Sequence, residues 1–577
     1  MRSLLAAAVF CMSSWALADA NRDLIALFDK EWQYTLKTNP VMASMEGDLR
    51  YNRQWQDLSL EGMAKQAQHD QKVVQQLLAI ESQSLSGANR INRALYLRQR
   101  NEALEYYQLG LHTLPITMRG GIQTLYDLAS LVPLRTPQQF EDWLFRMETI
   151  PVVIEQTEQL MRRGMKHGLT QPKIIMQRVV KQLRTLTVED PEKNPFFKPF
   201  AQIPESIPEA QRKQLQSKAR NVITNFVRPA YQKFAVFFEK TYLPACRDTP
   251  GIGSVPNGKN IYRYVARHFT TTELTPEQIH ETGLREVARI RKEMQMILEE
   301  TKFDGNLDQF MTWLRTDPQF FYQTSEELYK GYLAVSKRLD PELTKLFGKL
   351  PRIPYRVKPI PDEIAPDTTT AYYQPSAADG SRPGYYYVNL YKPESRPKWE
   401  MEVLSVHEAV PGHHLQISLA LEMKNVPEFR KHARFTAYVE GWGLYSERLG
   451  YQMGLYKDPY SHFGQLTYDM WRAVRLVVDT GIHYFGWSRQ KAIEYFMANA
   501  PKSKQDIVNE IDRYIGWPGQ ALAYKIGQLR ILELRAKAES QLKEKFNIRD
   551  FHDVLLSTGA VPLDVMEANI DDWLVGK

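Results

Sequence analysis

Cysteine is nearly missing from this chain: only Cys11 and Cys246 occur in 577 residues. That excludes a disulfide framework and any metal cluster built from thiolates, so a metal here must be held by histidine and carboxylate. Long apolar runs are lacking too. The N-terminal one, residues 4–17, is shorter than the ~20 residues a membrane-spanning helix needs, which argues against stable membrane insertion. Blocks of like charge are also missing. The formal net charge of +7 is spread over 74 basic and 67 acidic residues, with no basic stripe of the kind that binds nucleic acid. What remains is an ordinary soluble composition, 43% hydrophobic and 24% charged, in a chain long enough to bury a core without staples.

The N-terminus carries an export pattern. Met1-Arg2 gives one positive charge, residues 4–17 give an apolar core, and Ala16-Leu17-Ala18 gives small residues at the two positions a signal peptidase reads. Cleavage after Ala18 and a periplasmic or secreted product are expected. Cys11 would leave with this segment. It follows Phe10, where a lipoprotein signal has a small residue.

From residue 19 to 349 the pattern is helical. Thr136-Pro137 opens a run with Phe140, Trp143, Leu144 and Met147 on one face; Thr275-Pro276-Glu277 opens another with Ile279, Val287, Ile290 and Met294. His280 on that second helix is read as structural. The character changes near Pro351. Ile353, Tyr355 and Val357 alternate with polar residues, and residues 368–373 and 385–391 are rich in β-branched and aromatic side chains. The expected architecture is mainly α, with a small antiparallel sheet before a metal-binding helix and a catalytic region over residues 350–577.

Within residues 403–419, VLSVHEAVPGHHLQISL, three histidines and a glutamate fall within eight positions. Imidazole and carboxylate suit Zn²⁺ with one position left open, and a glutamate beside the first ligand can take a proton from the attacking water. His407 is the expected first ligand and Glu408 the general base. A zincin helix places its second histidine four positions on, but Pro411 stands there, and proline must bulge or break the helix. A two-residue bulge brings His413 to the second ligand position. His414 competes as an alternate ligand or substrate contact, although in an unbroken helix it would lie ~10 Å along the axis.

Glu440, 33 positions after His407, is the expected third ligand, with Gly441 and Gly443 beside it allowing close helix approach. The bland reading pairs it with Arg434 or Arg472. Glu447, two turns on, is expected to orient a ligand from behind. Farther on, Arg472, Arg475, Asp479 and His483 share a helix, and RYIGWPGQALAYKIG (513–527) follows. Tyr524 is a candidate oxyanion donor; Arg475, His483, Arg513 and Lys525 are candidate substrate contacts, Arg513 or Lys525 for a carboxylate.

The segments HEAVPGHHLQ (407–416), YVEGWGLYSE (438–447), RAVRLVVDTGIH (472–483) and RYIGWPGQALAYKIG (513–527) resemble a bacterial family known as domain of unknown function 885, as does the stretch 242–283. That family is similar in layout to the helical gluzincin peptidases. The resemblance implies that a short strand before the metal helix pairs with peptide, and residues 385–391, with Tyr387, are the segment that would do so. The expected function is zinc-dependent hydrolysis of short peptides. The alternatives are a non-catalytic periplasmic protein that binds a metal or ligand, and a metal-dependent hydrolase of another amide or ester.

Overall fold

The computed structural model describes residues 2–362, 365–367, 369–376 and 382–577, with the side chains of residues 2–18 and 367 outside that description. The expected export signal therefore lies outside the described side chains. Two compact units form, Met1–Gly258 and Lys259–Lys577. Both are mainly helical, and among the described residues no helix is long and apolar enough to cross a membrane.

In the first unit, α1 (Arg2–Thr38), α2 (Leu60–Ala79) and α3 (Gly87–Gln108) pack together. Val73, Val74 and Leu77 of α2 and Leu95 and Tyr96 of α3 are buried. Burying such side chains yields roughly 1.5–3 kcal/mol each. The buried Glu31 carboxylate is satisfied by His69 at 2.8 Å. Helix α4 (Pro137–Glu148) begins with the capping box that Thr136 and Gln139 complete, and buries Phe140, Trp143, Leu144 and Met147, the face its spacing implied.

The second unit is organised on α9 (Pro459–His483), a helix with most of its residues buried. Before it come α5 (Pro276–Thr301), α6 (Met401–Glu408), α7 (His413–Leu421) and α8 (Thr436–Leu449). After it come α10 (Lys504–Gly516) and α11 (Ala523–Leu542). Helix α5 starts on the Thr275–Gln278 capping box and buries Ile279, Val287, Ile290 and Met294. Its His280 meets Thr480 of α9 at 2.7 Å, a structural contact. Helices α8 and α11 cross through glycine: a Cβ on Gly441 would lie 2.5 Å from Gly527 Cα, so only glycine permits that approach.

Between α5 and α6 the described residues form a three-stranded sheet, β1 (Tyr355–Pro359), β2 (Ala371–Gln374) and β3 (Gly384–Val388), in the order β1-β3-β2. It is mixed rather than antiparallel. β2 runs antiparallel to β3, but β1 is parallel to it, with Tyr355 opposite Gly384. The connection between β1 and β3 is long enough for the crossover that a parallel pair needs. Period-two alternation divides the tyrosines of β3. Tyr386 faces inward and meets Ser405 of α6 at 3.2 Å, whereas Tyr387 stacks on Tyr372 at 4.8 Å on the other face.

Candidate metal site

Proline does break the helix that carries His407. Helix α6 ends at Glu408 and α7 begins at His413, and the intervening turn is closed by Gly412 N–H donating to Val406 O at 2.9 Å and His414 N–H to Ala409 O at 3.1 Å. A Cβ on Gly412 would collide with the carbonyl oxygens of His407 and Val406. The two extra residues rotate His413 back toward His407; their rings meet edge to face with centroids 4.7 Å apart.

Glu440 of α8 completes the group. Its Oε2 lies 3.7 Å from His407 Nε2 and 3.4 Å from His413 Nε2, and one donor atom from each of the three residues falls within 4.8 Å of the others. Zinc bonds of ~2.0–2.2 Å in a tetrahedron separate ligands by little more than 3 Å, so this N,N,O set fits such an ion with minor closure. Gly443, one turn beyond Glu440, makes the space: a Cβ there would stand 2.8 Å from His407 Cε1 and 3.1 Å from His413 Cε1. Burial disfavours charge on Glu440, but hydrogen bonds and charge from His407 and His413 hold its carboxyl well below the usual range.

Behind the triad, His407 Nδ1 meets Glu447 Oε1 at 2.7 Å. A proton on Nδ1 leaves the Nε2 lone pair directed at the site. Glu447 is fully buried, and Arg472 approaches its Oε1 at 3.5 Å. Arg472 therefore serves Glu447, and the two histidines, not an arginine, face Glu440. The sequence reading missed this use of Arg472; no local spacing links α8 to α9.

Glu408, half-buried, has no hydrogen-bond partner among the described residues, and its charge is felt by His407 and Tyr386. Tyr524 of α11 faces the same region. Its hydroxyl is pushed up in pKa by burial and then by the charge of Glu440. The Arg475 guanidinium lies over its ring, 4.4 Å from the centroid.

The other candidate residues divide. Arg475 and Arg513 meet on Glu510, at 3.1 and 2.9 Å; Glu510, missed in the sequence, stands three residues before Arg513 on α10, a spacing that would have revealed it. His414 is not in the triad. Its Nδ1 meets Tyr373 of β2 at 2.9 Å and Ser418 at 3.3 Å, and burial pushes its pKa down to about 4. Lys525 is fully buried and spends its three donors on Asp469 at 2.6 Å, Glu286 at 2.9 Å and Gln528 at 2.9 Å, leaving none for a substrate. His483 donates to the Tyr514 carbonyl at 3.0 Å and stacks on Tyr262, so it too is a structural residue. Tyr387 packs with Ile360 and Ala365 on the sheet face turned from Ser405. β3 cannot pair with a peptide as an edge strand, because β1 and β2 occupy both of its sides.

Comparison with known proteins places the chain in a family. The model of the bacterial protein family of unknown function DUF885 matches residues 40–570, and the chain belongs to that family. A candidate lipoprotein from Colwellia psychrerythraea is similar in structure at 29% identity and a TM-score of 0.90, covering 97% of this chain and 100% of its own. A candidate lipoprotein of unknown function from Shewanella oneidensis shares the fold at 17% identity and a TM-score of 0.72, with 95% and 98% covered. No significant match is found among curated proteins.

Proposed function

We propose that this chain is a zinc-dependent peptidase acting on short peptides outside the cytoplasm. The observation that carries the reading is the convergence of His407 Nε2, His413 Nε2 and a Glu440 oxygen beside Glu408, which has no hydrogen-bond partner among the described residues. Bound there, zinc would supply Lewis acidity toward a carbonyl oxygen and a water of lowered pKa. Glu408 accepts the proton of the attacking water and returns it to the departing amine. Glu447 fixes the tautomer of His407, and Tyr524 donates its hydroxyl to the charge that develops on the carbonyl oxygen. A site meant only to hold a metal has no use for a free carboxylate beside its first ligand.

Two further points support the reading. A histidine-glutamate pair on one helix and a third ligand from a later helix is the layout of the helical gluzincin peptidases. The export pattern at residues 1–18 and the description of both structural neighbours as candidate lipoproteins support action outside the cytoplasm. The test is metal content together with a peptide-library digest read by mass spectrometry. Wild type should carry about one zinc per chain; Glu408→Gln should keep it and lose cleavage by about 10²–10⁴-fold. Wild type without metal, or Glu408→Gln cleaving at the wild-type rate, would refute the proposal.

A further inference from the structure

A second charged cluster lies beside Tyr524, over whose ring Arg475 and Arg472 both sit. Glu510 Oε2 accepts from Arg475 Nη2 at 3.1 Å, Arg513 Nη2 at 2.9 Å and the Tyr514 hydroxyl at 2.6 Å, while its Oε1 accepts from Arg513 Nε at 3.1 Å. Two guanidiniums share the Glu510 carboxylate, and Asp479, the buried acid on which both charges also act, is pushed up to about 7 by burial, which leaves positive charge in excess at and below neutral pH. It is buried: Arg475 is 5% exposed and Arg513 7%. Arg513 Nη1 is taken by Gln520 at 2.8 Å and Arg475 Nε by Tyr514 at 2.8 Å, but Arg475 Nη1 is buried without a hydrogen-bond partner among the described residues. Arg472 nearby adds no surplus, because Glu447 balances it.

A buried cation with a spare N–H is costly unless an anion completes it. The planar fork of arginine suits a carboxylate. Position narrows the source. Arg475 and Arg472 both lie over the ring of Tyr524, 4.4 and 5.9 Å from its centroid, and Arg472 reaches Glu447, behind His407, at 3.5 Å, so an anion on Arg475 would bind beside the triad.

Building on the peptidase reading, we propose that Arg475, supported by Arg513 and Glu510, receives the free α-carboxylate of the substrate, so that the chain trims peptides from their carboxyl ends. The test compares a pentapeptide as free acid, the same peptide amidated, and an amidated peptide with a terminal glutamate, by calorimetry on zinc-loaded Glu408→Gln and by cleavage with wild type. The free acid should bind about 10- to 100-fold more tightly than its amide, and Arg475→Lys should narrow that gap without loss of fold. Equal affinity for acid and amide, binding of neither, or recovery of tight binding by the glutamate side chain alone would overturn the proposal. If wild type cleaves nothing while the acid preference persists in binding, the peptidase reading fails and the carboxylate subsite stands.

Discussion

Glu447 holds His407 from behind: its Oε1 lies 2.7 Å from Nδ1, and its Oε2 is buried without a hydrogen-bond partner among the described residues. A buried carboxylate in that position raises the basicity of the imidazole and fixes its orientation. Glu447→Gln keeps an oxygen that can accept from Nδ1 but removes the charge. Zinc affinity, read by competition with a chelator, should fall by about 10- to 100-fold with helical content intact. Unchanged affinity would show that Glu447 does no more than fill space.

Two glycines on α8 should respond differently to the same added methyl group. Gly443→Ala places a Cβ against the rings of His407 and His413, so metal affinity should drop at least about tenfold, since a displaced ligand forfeits more than ~1.4 kcal/mol. Gly441→Ala instead meets the backbone of Gly527, which cannot yield without parting α8 from α11, so its damage should appear as a lower melting temperature. If both variants lose stability equally and Gly443→Ala binds zinc normally, the space around the triad is not the reason for Gly443.

Local rules were readable in the sequence and long-range ones were not. The capping boxes at Thr136 and Thr275 are decided by residues three positions apart. The break at Pro411 follows from a clash one turn away, so the return of His413 toward His407 could be argued in advance. The partners of Lys525 could not be. Asp469 is 56 positions before it, and nothing near Lys525 distinguishes a buried ion cluster from a ligand contact. The sheet was similarly opaque: alternation identifies strands but says nothing about whether β1 runs with or against β3. Whether the strand of Tyr387 had a free edge for a peptide was hidden for the same reason, since that depends on the order β1-β3-β2.

Lys525 should accordingly behave as a stabilising residue. Its ammonium joins Asp469 and Glu286, with Arg289 also 3.0 Å from Asp469. Lys525→Met leaves buried carboxylates short of a partner, a change that typically costs about 3–5 kcal/mol. Denaturant unfolding should show that loss, while KM for a cleaved peptide stays near wild type. A raised KM at unchanged stability would instead place Lys525 against the substrate.

Asp479 predicts how stability varies with pH. Its carboxyl is fully buried and is pushed up to about 7 by that burial, against the lowering pull of the Tyr262 hydroxyl at 2.6 Å and the Gly519 N–H at 3.0 Å. Unfolded, it titrates near 3.8. Between these values the folded chain binds the proton more readily than the unfolded chain, so this group's contribution is fully present below about pH 4 and is lost as pH rises toward 7. Other groups titrate over the same range, and the informative quantity is the difference between wild type and Asp479→Asn. In urea unfolding from pH 4 to 8, wild type should lose stability relative to the variant as pH rises, and the difference should level off above about pH 7. A difference that stays flat from pH 4 to 8 would mean that Asp479 remains charged in the folded chain, held by Arg513 and Arg475, whose charges also act on it.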